Sequence, residues 1–433
     1  MSTGRAEGGY GRGAAVLSVG IAATGLTTYA YFSLASHSLS EEGYGGITLL
    51  WSAVFITVSV LYRPVEQLLS RTIAERDAHG AAGREHLRVA ASIQLALGAV
   101  FAVAALALRG PLQDDLFGGS ETLYWVLVAS VLAYAASYFA RGFLAGSRRF
   151  GLYGGLVLME AGSRLLFALA VAVGIASGQS VVALGIAAAP FLSLAVVPWA
   201  LSRSRPAPGA PPPPTEGEAE FTLSHGTGFA AAVLAIMVAE QTFLNAGPLL
   251  VKATEGGAAG AALAGFTFNV LLIARAPLQL FQAVQTSILP HLTRLGARGE
   301  TDPFRRSVNV TLAAIAGFAA LVALVMLAVG PSVMDLVFGG DFDYDRGGLV
   351  LISVGMGLYL AAATLNQALL AHGRAREACV AWLAAAAGFV AFLLAPGFDD
   401  RVLQVEVGYV GGALVLCGLL YGLYRRGALP TAD

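Results

Sequence analysis

Long apolar runs recur along the whole chain and leave few alternatives for its fold. A helix that crosses the hydrocarbon of a bilayer needs about 20 mostly apolar residues. Twelve such runs lie near residues 13–36, 44–69, 89–108, 121–145, 151–175, 180–201, 226–251, 259–288, 308–329, 347–371, 377–395 and 405–424. Only 12% of the residues are charged, whereas a soluble domain has roughly 25%. The sequence therefore predicts an all-α integral membrane protein with twelve transmembrane helices.

The basic residues predict the orientation of these helices. Eighteen of the 26 arginines and lysines fall in one set of connecting segments, which includes both termini, and four fall in the opposite set. Cytoplasmic loops carry the excess of positive charge. Alanine and glycine are abundant and Lys252 is the only lysine, which is typical of a GC-rich bacterial genome. We therefore expect a bacterial plasma-membrane protein with both termini in the cytoplasm.

A proline-rich segment divides the chain. Residues 203–224 contain four consecutive prolines followed by three glutamates. Such sequence forms a stiff, solvated linker. We therefore predict an N-terminal six-helix lobe over residues 1–202 and a C-terminal six-helix lobe over residues 225–433, joined by a cytoplasmic linker.

The two halves share short sequences at equivalent places. Gly110-Pro111 follows the third apolar run and Gly330-Pro331 follows the ninth. Leu-Ala-Gly-Ser-Arg, ending at Arg148, follows the fourth run, and Leu-Ala-His-Gly-Arg, ending at Arg374, follows the tenth. Six spans separate the copies, so both have the same orientation in the membrane, as in a parallel repeat. We expect two six-helix bundles around a central cavity.

Two apolar runs combine arginine with proline. Arg63-Pro64 lies in the second run and Arg275-Ala-Pro277 lies in the eighth. A charge in the bilayer is costly, so it usually faces a partner or a water-filled cavity. Proline breaks a helical hydrogen bond, which is tolerated where neighbours or water replace it. These helices are therefore expected to line a polar cavity, and the candidate lining residues are Arg63, Gln67, Arg275, Gln279, Gln282, Asn366 and Gln367.

Arg63 and Arg275 leave different alternatives open. Arg63 lies roughly 12 Å from the cytoplasmic end of its helix and can either reach that surface or pair with Glu66, three residues later. Arg275 lies deeper and has no acid within one turn of its own helix. We therefore expect Arg275 to face the cavity.

Other charges inside the apolar runs are candidates for ion or proton coupling. Glu160 and Arg164, four residues apart, form either a self-neutralising pair or part of the cavity. Glu240 has no partner on its helix, and either couples ion movement or pairs with Arg275. Glu66 is a further coupling candidate. Arg141 is expected to reach the cytoplasmic surface, and its counterpart in the repeat is expected at Gln367, beside Asn366.

The sequence has no motif of an enzyme. It contains no cluster with the spacing of metal ligands, no nucleophile elbow and no phosphate-binding loop. Its two cysteines, Cys379 and Cys417, lie within apolar runs. We expect no enzymatic activity, no cofactor, no metal and no nucleic-acid partner.

Three motifs resemble those of a known family. They are Glu41-Glu42-Gly43-Tyr44-Gly45 at the start of the second run, Arg63-Pro64-Val65-Glu66-Gln67 with Ser70-Arg71 at its end, and Ile288-Leu289-Pro290-His291-Leu292-Thr293-Arg294-Leu295 after the eighth. Together with the layout they resemble the Wzx-type polysaccharide flippases (translocases of O-antigen and other lipid-linked oligosaccharides). These belong to the multidrug/oligosaccharidyl-lipid/polysaccharide exporter superfamily. Leu289 stands where the family signature has phenylalanine.

The resemblance implies an alternating-access flippase for an undecaprenyl-pyrophosphate-linked oligosaccharide, moved from the inner to the outer leaflet. Related lipid II flippases hold the pyrophosphate with arginines on the second and eighth helices, where Arg63 and Arg275 fall here. The implied partners are the lipid-linked substrate, membrane lipids and enzymes of polysaccharide assembly such as a polymerase and glycosyltransferases. The sequence leaves two alternatives, a drug/cation antiporter of the same superfamily and a non-transporting scaffold in cell-wall assembly.

Overall fold

The computed structural model describes residues 3–79, 85–196, 227–273, 301–339 and 343–427. Helices joined by short turns make up these ranges, which contain no β-strand. In chain order the helices are α1 (Thr3–Ser38), α2 (Glu41–Leu61), α3 (Arg63–His79), α4 (Glu85–Ala107), α5 (Glu121–Gly146), α6 (Phe150–Ala172), α7 (Gln179–Ser193), α8 (Thr227–Glu255), α9 (Gly257–Ile273), α10 (Thr301–Phe338), α11 (Arg346–Ala371), α12 (Ala375–Leu394) and α13 (Arg401–Gly427). A short π-helical turn, Pro111–Leu116, follows α4.

Within the described part of the chain, nine helical segments are long and apolar enough to span a membrane. They overlap nine of the twelve predicted runs and confirm a multi-pass membrane protein. The runs near 13–36, 180–201 and 259–288 overlap α1, α7 and α9 instead, of which α7 has only 15 residues. The total of twelve spans and the two six-helix bundles stay predictions.

The chain divides into two compact units. The first consists of Met1–Leu39 and Ala53–His225, and the second of Ser40–Ser52 and Gly226–Asp433. Helix α2 therefore contributes its first half to the second unit and its last residues to the first. The predicted linker, 203–224, lies outside the described residues, and the predicted lobe limits stay predictions.

The same pattern of helix neighbours occurs in each unit. In the first unit α6 packs on α1 and α7, and α5 packs on α4 and α7. In the second unit α12 packs on α8 and α13, and α11 packs on α10 and α13. The helices that correspond by chain order therefore have corresponding neighbours, which agrees with the sequence repeat.

The ends of α5 and α11 match residue by residue, at an offset of 225. Both helices have 26 residues, and both begin after a residue whose side chain accepts a backbone hydrogen bond, Ser120 and Asp345. Both are followed by a residue with positive φ, Arg148 at 56° and Gly373 at 73°. This offset pairs Arg141 with Asn366. The predicted counterpart, Gln367, is therefore wrong by one residue, because a short sequence match cannot fix the register of a long helix.

A break at Tyr62 separates α2 from α3. The helix ends at Leu61 and resumes at Arg63. The backbone amide of Glu66 still donates to the Tyr62 carbonyl at 2.9 Å, whereas Pro64 has no amide hydrogen to donate. The proline therefore interrupts the helix where the sequence predicts, immediately beside Arg63.

Candidate functional site

Two glycines bring α3 and α5 into close contact. A Cβ atom at Gly142 would lie 2.9 Å from the carbonyl oxygen of Glu66, and one at Gly146 would lie 2.7 Å from the Cβ of Ile73. Small residues let helix backbones approach in this way. The contact places the residues of α3 that follow the proline break beside Arg141 of α5.

Glu160 on α6 is the centre of a buried hydrogen-bonded group. Its side chain is 2% exposed and forms an ion pair with Arg141 of α5. The carboxylate also accepts hydrogen bonds from Ser137 and, at 3.3 Å, from Ser193 of α7. Ser137 and Arg141 are four residues apart, so both project from the same face of α5 towards α6.

Glu66 on α3 belongs to the same electrostatic group. It accepts a hydrogen bond of 2.9 Å from the Tyr153 hydroxyl of α6. Its charge interacts with those of Arg63, Arg141 and Glu160. Arg141 therefore interacts with two carboxylates, and its guanidinium also lies 4.5 Å from the centre of the Tyr138 ring.

Arg164 is a further arginine in this region, and it is buried. Only 4% of it is exposed, and it donates a hydrogen bond of 2.8 Å to the Tyr134 hydroxyl of α5. Its guanidinium lies 5.8 Å from the Phe55 ring centre, within range of a cation–π contact.

We call Arg63, Glu66, Arg141, Glu160 and Arg164 the charged cluster. It contains three guanidinium groups and two carboxylates, all in the first unit. Counted as formal charges, these five groups sum to one positive charge. Guanidinium groups bind phosphate and carboxylate oxygens in pairs, and a low dielectric strengthens that contact. Chemically, the cluster is suited to an anion.

The structure decides two questions about pairing. Of the two alternatives for Glu160, the pair with Arg164 within α6 is wrong, because the salt bridge of Glu160 is with Arg141 on the neighbouring helix. Arg141 was expected to reach the cytoplasmic surface, but its side chain is 11% exposed and directed to Glu160. The close packing of α5 with its neighbours decides both outcomes, because it puts an arginine from another helix against the carboxylate.

The other predicted residues have varied surroundings. Gln67 is exposed, and Asn366 is buried with its side-chain oxygen lacking a hydrogen-bond partner among the described residues. The side-chain oxygen of Gln367 likewise has no partner there. Glu240 on α8 is half-buried. Three further predicted residues lie outside the described part of the chain: Arg275, Gln279 and Gln282.

Sequence reasoning missed several members of the site. It named Glu66, Glu160 and Arg164 but not their hydrogen-bond partners, which are Tyr153, Ser137 and Tyr134 respectively. The four-residue spacing of Ser137 and Arg141 was the one available signal. Within the described ranges no group of three or more His, Cys, Asp or Glu residues is arranged to hold a metal ion.

The second unit contains a separate acidic cavity of about 390 Å³. Its acidic lining residues are Glu41, Glu255 and Asp343, and Phe266 contributes an aromatic wall. Arg401 already pairs with Glu255 at 2.8 Å. The cavity therefore combines negative charge with apolar surface.

No protein-family model matches the chain. Curated relatives include "Uncharacterized protein Rv3630" of Mycobacterium tuberculosis, 25% identical over 96% of this chain and 92% of the relative. "Uncharacterized protein Mb3654" of Mycobacterium bovis is 24% identical over the same shares. These similarities extend over nearly the whole chain but give no activity.

Solved structures show the fold. The MATE transporter VcmN of Vibrio cholerae has a TM-score of 0.64 at 16% identity, covering 97% of this chain and 98% of that one. The eukaryotic MATE transporter AtDTX14 has a TM-score of 0.61 at 15% identity, covering 97% of both. A MOP superfamily transporter from Pyrococcus furiosus has a TM-score of 0.61 at 14% identity, covering 97% and 95%. The chain therefore has the fold of these transporters.

Proposed function

We propose that this protein is a membrane transporter, and specifically a flippase that moves a polyprenyl-pyrophosphate-linked oligosaccharide from the inner to the outer leaflet of the bacterial plasma membrane. The observation that carries the proposal is the charged cluster itself, in which three guanidinium groups lie with two carboxylates, Arg164 being buried and Arg141 only 11% exposed. In this proposal Arg63 and Arg275 hold the pyrophosphate.

The physical argument rests on the cost of placing charge inside a membrane protein. Placing an arginine at the centre of a transmembrane helix costs about 2.5–3.5 kcal/mol on insertion scales. Arg141 recovers part of that cost from Glu160 and Glu66. A pyrophosphate would place negative charge beside the three guanidinium groups of the cluster and provide oxygens that match the fork of a guanidinium.

The carboxylates give the proposal a coupling mechanism. Glu66 and an anionic headgroup would compete for the same arginines. Protonation of Glu66, or binding of a cation beside it, would release Arg63 and Arg141 for the substrate. Glu160 and Glu240 are the other coupling candidates. The polar residues Gln67, Gln279, Gln282, Asn366 and Gln367 would contact the remainder of the substrate.

The comparisons support the transporter class through the fold. The Pyrococcus furiosus transporter is described as having a binding pocket of reversed polarity that suggests a different function. Pocket polarity therefore differs among proteins of this fold, so we infer the charge of the substrate from the residues of this chain. In this chain the charged cluster has three arginines and two acids, which favours an anionic substrate.

The test is a flipping assay with the full chain in proteoliposomes. A fluorescent polyprenyl-pyrophosphate sugar should cross the bilayer faster than the uncharged polyprenol. Arg63→Gln should reduce flipping about tenfold or more, the factor that corresponds to losing ~1.4 kcal/mol of binding to the transported anion. Arg109→Gln is the matched control, because Arg109 is exposed and bonded to Glu121. Flipping unaffected by Arg63→Gln would refute the assignment.

The acidic cavity favours a second candidate, a drug/cation antiporter. Carboxylates beside an aromatic wall suit a cationic amphiphile. The Glu255–Arg401 pair weakens this candidate, because it already compensates one of the three acids. Transport of a lipophilic cation, inhibited by replacing Glu41 and Asp343 with glutamine and unaffected by Arg63→Gln, would establish the antiporter and remove the flippase.

A scaffold that transports nothing would also tolerate the buried Arg141–Glu160 pair. It predicts that neither a pyrophosphate lipid nor a lipophilic cation crosses proteoliposomes faster than in empty vesicles. The same assay therefore separates all three candidates.

A further inference from the structure

The first half of α2 is held in the second unit by a chain of buried hydrogen bonds. The Tyr44 hydroxyl donates to the side-chain oxygen of Asn269 on α9. The Asn269 amide in turn donates to the Tyr344 hydroxyl at 3.1 Å, in the segment before α11. All three side chains are at most 3% exposed. One asparagine therefore joins three separate elements.

Two glycines allow α2 and α9 to touch along their backbones. A Cβ atom at Gly45 would lie 1.9 Å from the carbonyl oxygen of Ala261, which no side chain can tolerate. A Cβ atom at Gly265 would lie 3.1 Å from the Cα of Gly45. This accounts for Gly45 in the Glu41-Glu42-Gly43-Tyr44-Gly45 motif, to which the charged cluster gives no role.

Tyr344 is fixed on a second side by an aromatic contact. The Phe266 ring centre lies 4.9 Å from that of Tyr344. Burial raises the pKa of Tyr344, and Asp335 raises it further. The hydroxyl therefore remains protonated at physiological pH, and the hydrogen-bond chain does not depend on pH there.

Space for movement lies beside these contacts. The cavity of about 390 Å³ is lined by Glu41 of α2, Ala262 and Phe266 of α9, and Asp343 next to Tyr344. Protein interiors are close-packed, and voids much larger than a water molecule are few. This cavity is instead open to the surface, because Glu41 and Asp343 are exposed, so the tightly packed patch lies beside open space.

Helix α2 connects this patch to the charged cluster. Residues 40–52 pack in the second unit, residues 53–61 pack in the first, and Arg63 follows the break at Tyr62. A continuous helix is a stiff element, so displacement of its first residues is transmitted to the break.

We propose that Tyr44, Gly45, Gly265, Asn269 and Tyr344 form a releasable latch, which holds the first turns of α2 against α9 and must open in each transport cycle. This inference rests on the proposed transport function. It adds that contact between α2 and α9 closes the protein on the side predicted to face outwards. The latch is held by two side-chain hydrogen bonds and a backbone contact between glycines. Because only two side-chain hydrogen bonds hold the latch, opening it requires breaking few interactions.

The test measures access to the helix face behind the latch. Thr48 is fully buried one turn after Tyr44. Thr48→Cys would be introduced into the full chain with Cys379→Ala and Cys417→Ala, and labelled with a maleimide in detergent micelles. We expect slow labelling, accelerated about tenfold by Tyr44→Phe, the factor that corresponds to ~1.4 kcal/mol for one buried hydrogen bond. Gly45→Ala should accelerate it further.

Tyr31→Phe is the matched control. Tyr31 is equally buried and donates its hydroxyl to the Val182 carbonyl in the first unit, away from the latch. Equal acceleration by Tyr31→Phe, or unchanged labelling in both Tyr44→Phe and Asn269→Leu, would overturn the latch. Labelling needs no substrate, so a chain that flips no pyrophosphate lipid but shows the expected labelling would overturn the proposed function alone.

Discussion

The Arg141–Glu160 pair permits a quantitative test of the charged cluster. Replacing Glu160 by leucine removes the carboxylate that accepts from Arg141, Ser137 and Ser193. It leaves the Arg141 guanidinium buried beside an apolar side chain. Ser193 keeps its 2.8 Å bond to the Pro190 carbonyl and is not left unpaired.

The expected loss follows from these contacts. Breaking a buried ion pair by removing one partner costs about 3–5 kcal/mol, because the other charge stays buried. Arg141 also interacts with Glu66, so we expect the lower end, about 3 kcal/mol. Replacing both partners, as Arg141→Leu with Glu160→Leu, removes the unpaired charge and should cost much less than the sum of the single changes.

The assay is a double-mutant cycle on the apparent free energy of unfolding of the full chain, measured by denaturant titration in mixed micelles. Neutral hydrogen bonds between membrane helices contribute at most ~1.7 kcal/mol in such cycles. A coupling energy above that value therefore identifies an ion pair. The exposed pair Arg109–Glu121, at 3.3 Å, is the control and should couple by less than about 1 kcal/mol.

A coupling energy for Arg141 and Glu160 no larger than that of the exposed control would refute the reasoning. It would mean that water reaches the pair and that the cluster is not desolvated. The electrostatic argument for anion binding would then fail with it.

Three further outcomes are expected in the same unfolding assay. Gly142→Ala should destabilise by about 1–3 kcal/mol, because its Cβ would lie 2.9 Å from the Glu66 carbonyl oxygen, whereas Gly155→Ala, with open space around it, should be neutral or stabilising by up to ~1 kcal/mol. Tyr134→Phe should cost about 1.5–3 kcal/mol, because it removes the acceptor of the Arg164 guanidinium, and no loss would contradict that bond. Gln94→Leu should stabilise by about 1–2 kcal/mol, because neither amide atom of this buried side chain has a partner among the described residues; destabilisation would show that the amide is bonded after all.

Hydropathy was enough to predict most of the helices, because a membrane helix must satisfy its own backbone and therefore appears as one long apolar run. The break before Pro64 and the turns after α5 and α11 were also predictable, because proline and the short repeated sequences mark them locally. The approximate depth of each charge in the membrane was predictable too, because it follows from the position of the residue within its apolar run.

The partner of each charge could not be predicted. Glu160 has an arginine four residues away on its own helix, and sequence spacing favours that pair. The structure pairs it with Arg141 because α5 and α6 present facing sides to each other. Which sides face is decided by contacts such as that of Gly142 with Glu66, between residues far apart in the chain.

The latch was hidden for a related reason. Tyr44 and Asn269 are separated by 225 residues and each is ordinary in its own helix. Only the motif around Tyr44 was singled out, through its resemblance to flippases. The motif lies in residues 40–52, which belong to the second unit, and it can therefore contact Asn269 more than 200 residues later in the chain.

The repeat lets one unit serve as a reference for the other. At the offset of 225, the counterparts of three members of the charged cluster are uncharged: Asn366 for Arg141, Ala385 for Glu160 and Phe389 for Arg164. Around Phe389 the second unit has packed aromatic rings. Phe243 stacks on it with ring centres 5.1 Å apart, and the rings of Tyr359 and Trp382 contact Phe243.

This asymmetry bears on what the charged cluster is for. The same helix arrangement holds together in the second unit with aromatic packing, so the fold does not require charges at these positions. Buried ion networks are, in addition, often less stabilising than apolar side chains of similar volume. A cluster in which three charged residues have uncharged counterparts in the second unit is therefore poorly explained by stability alone. The proposed anionic substrate would give these charges a role, and that proposal requires the coupling energy of Arg141 and Glu160 to be that of a desolvated ion pair.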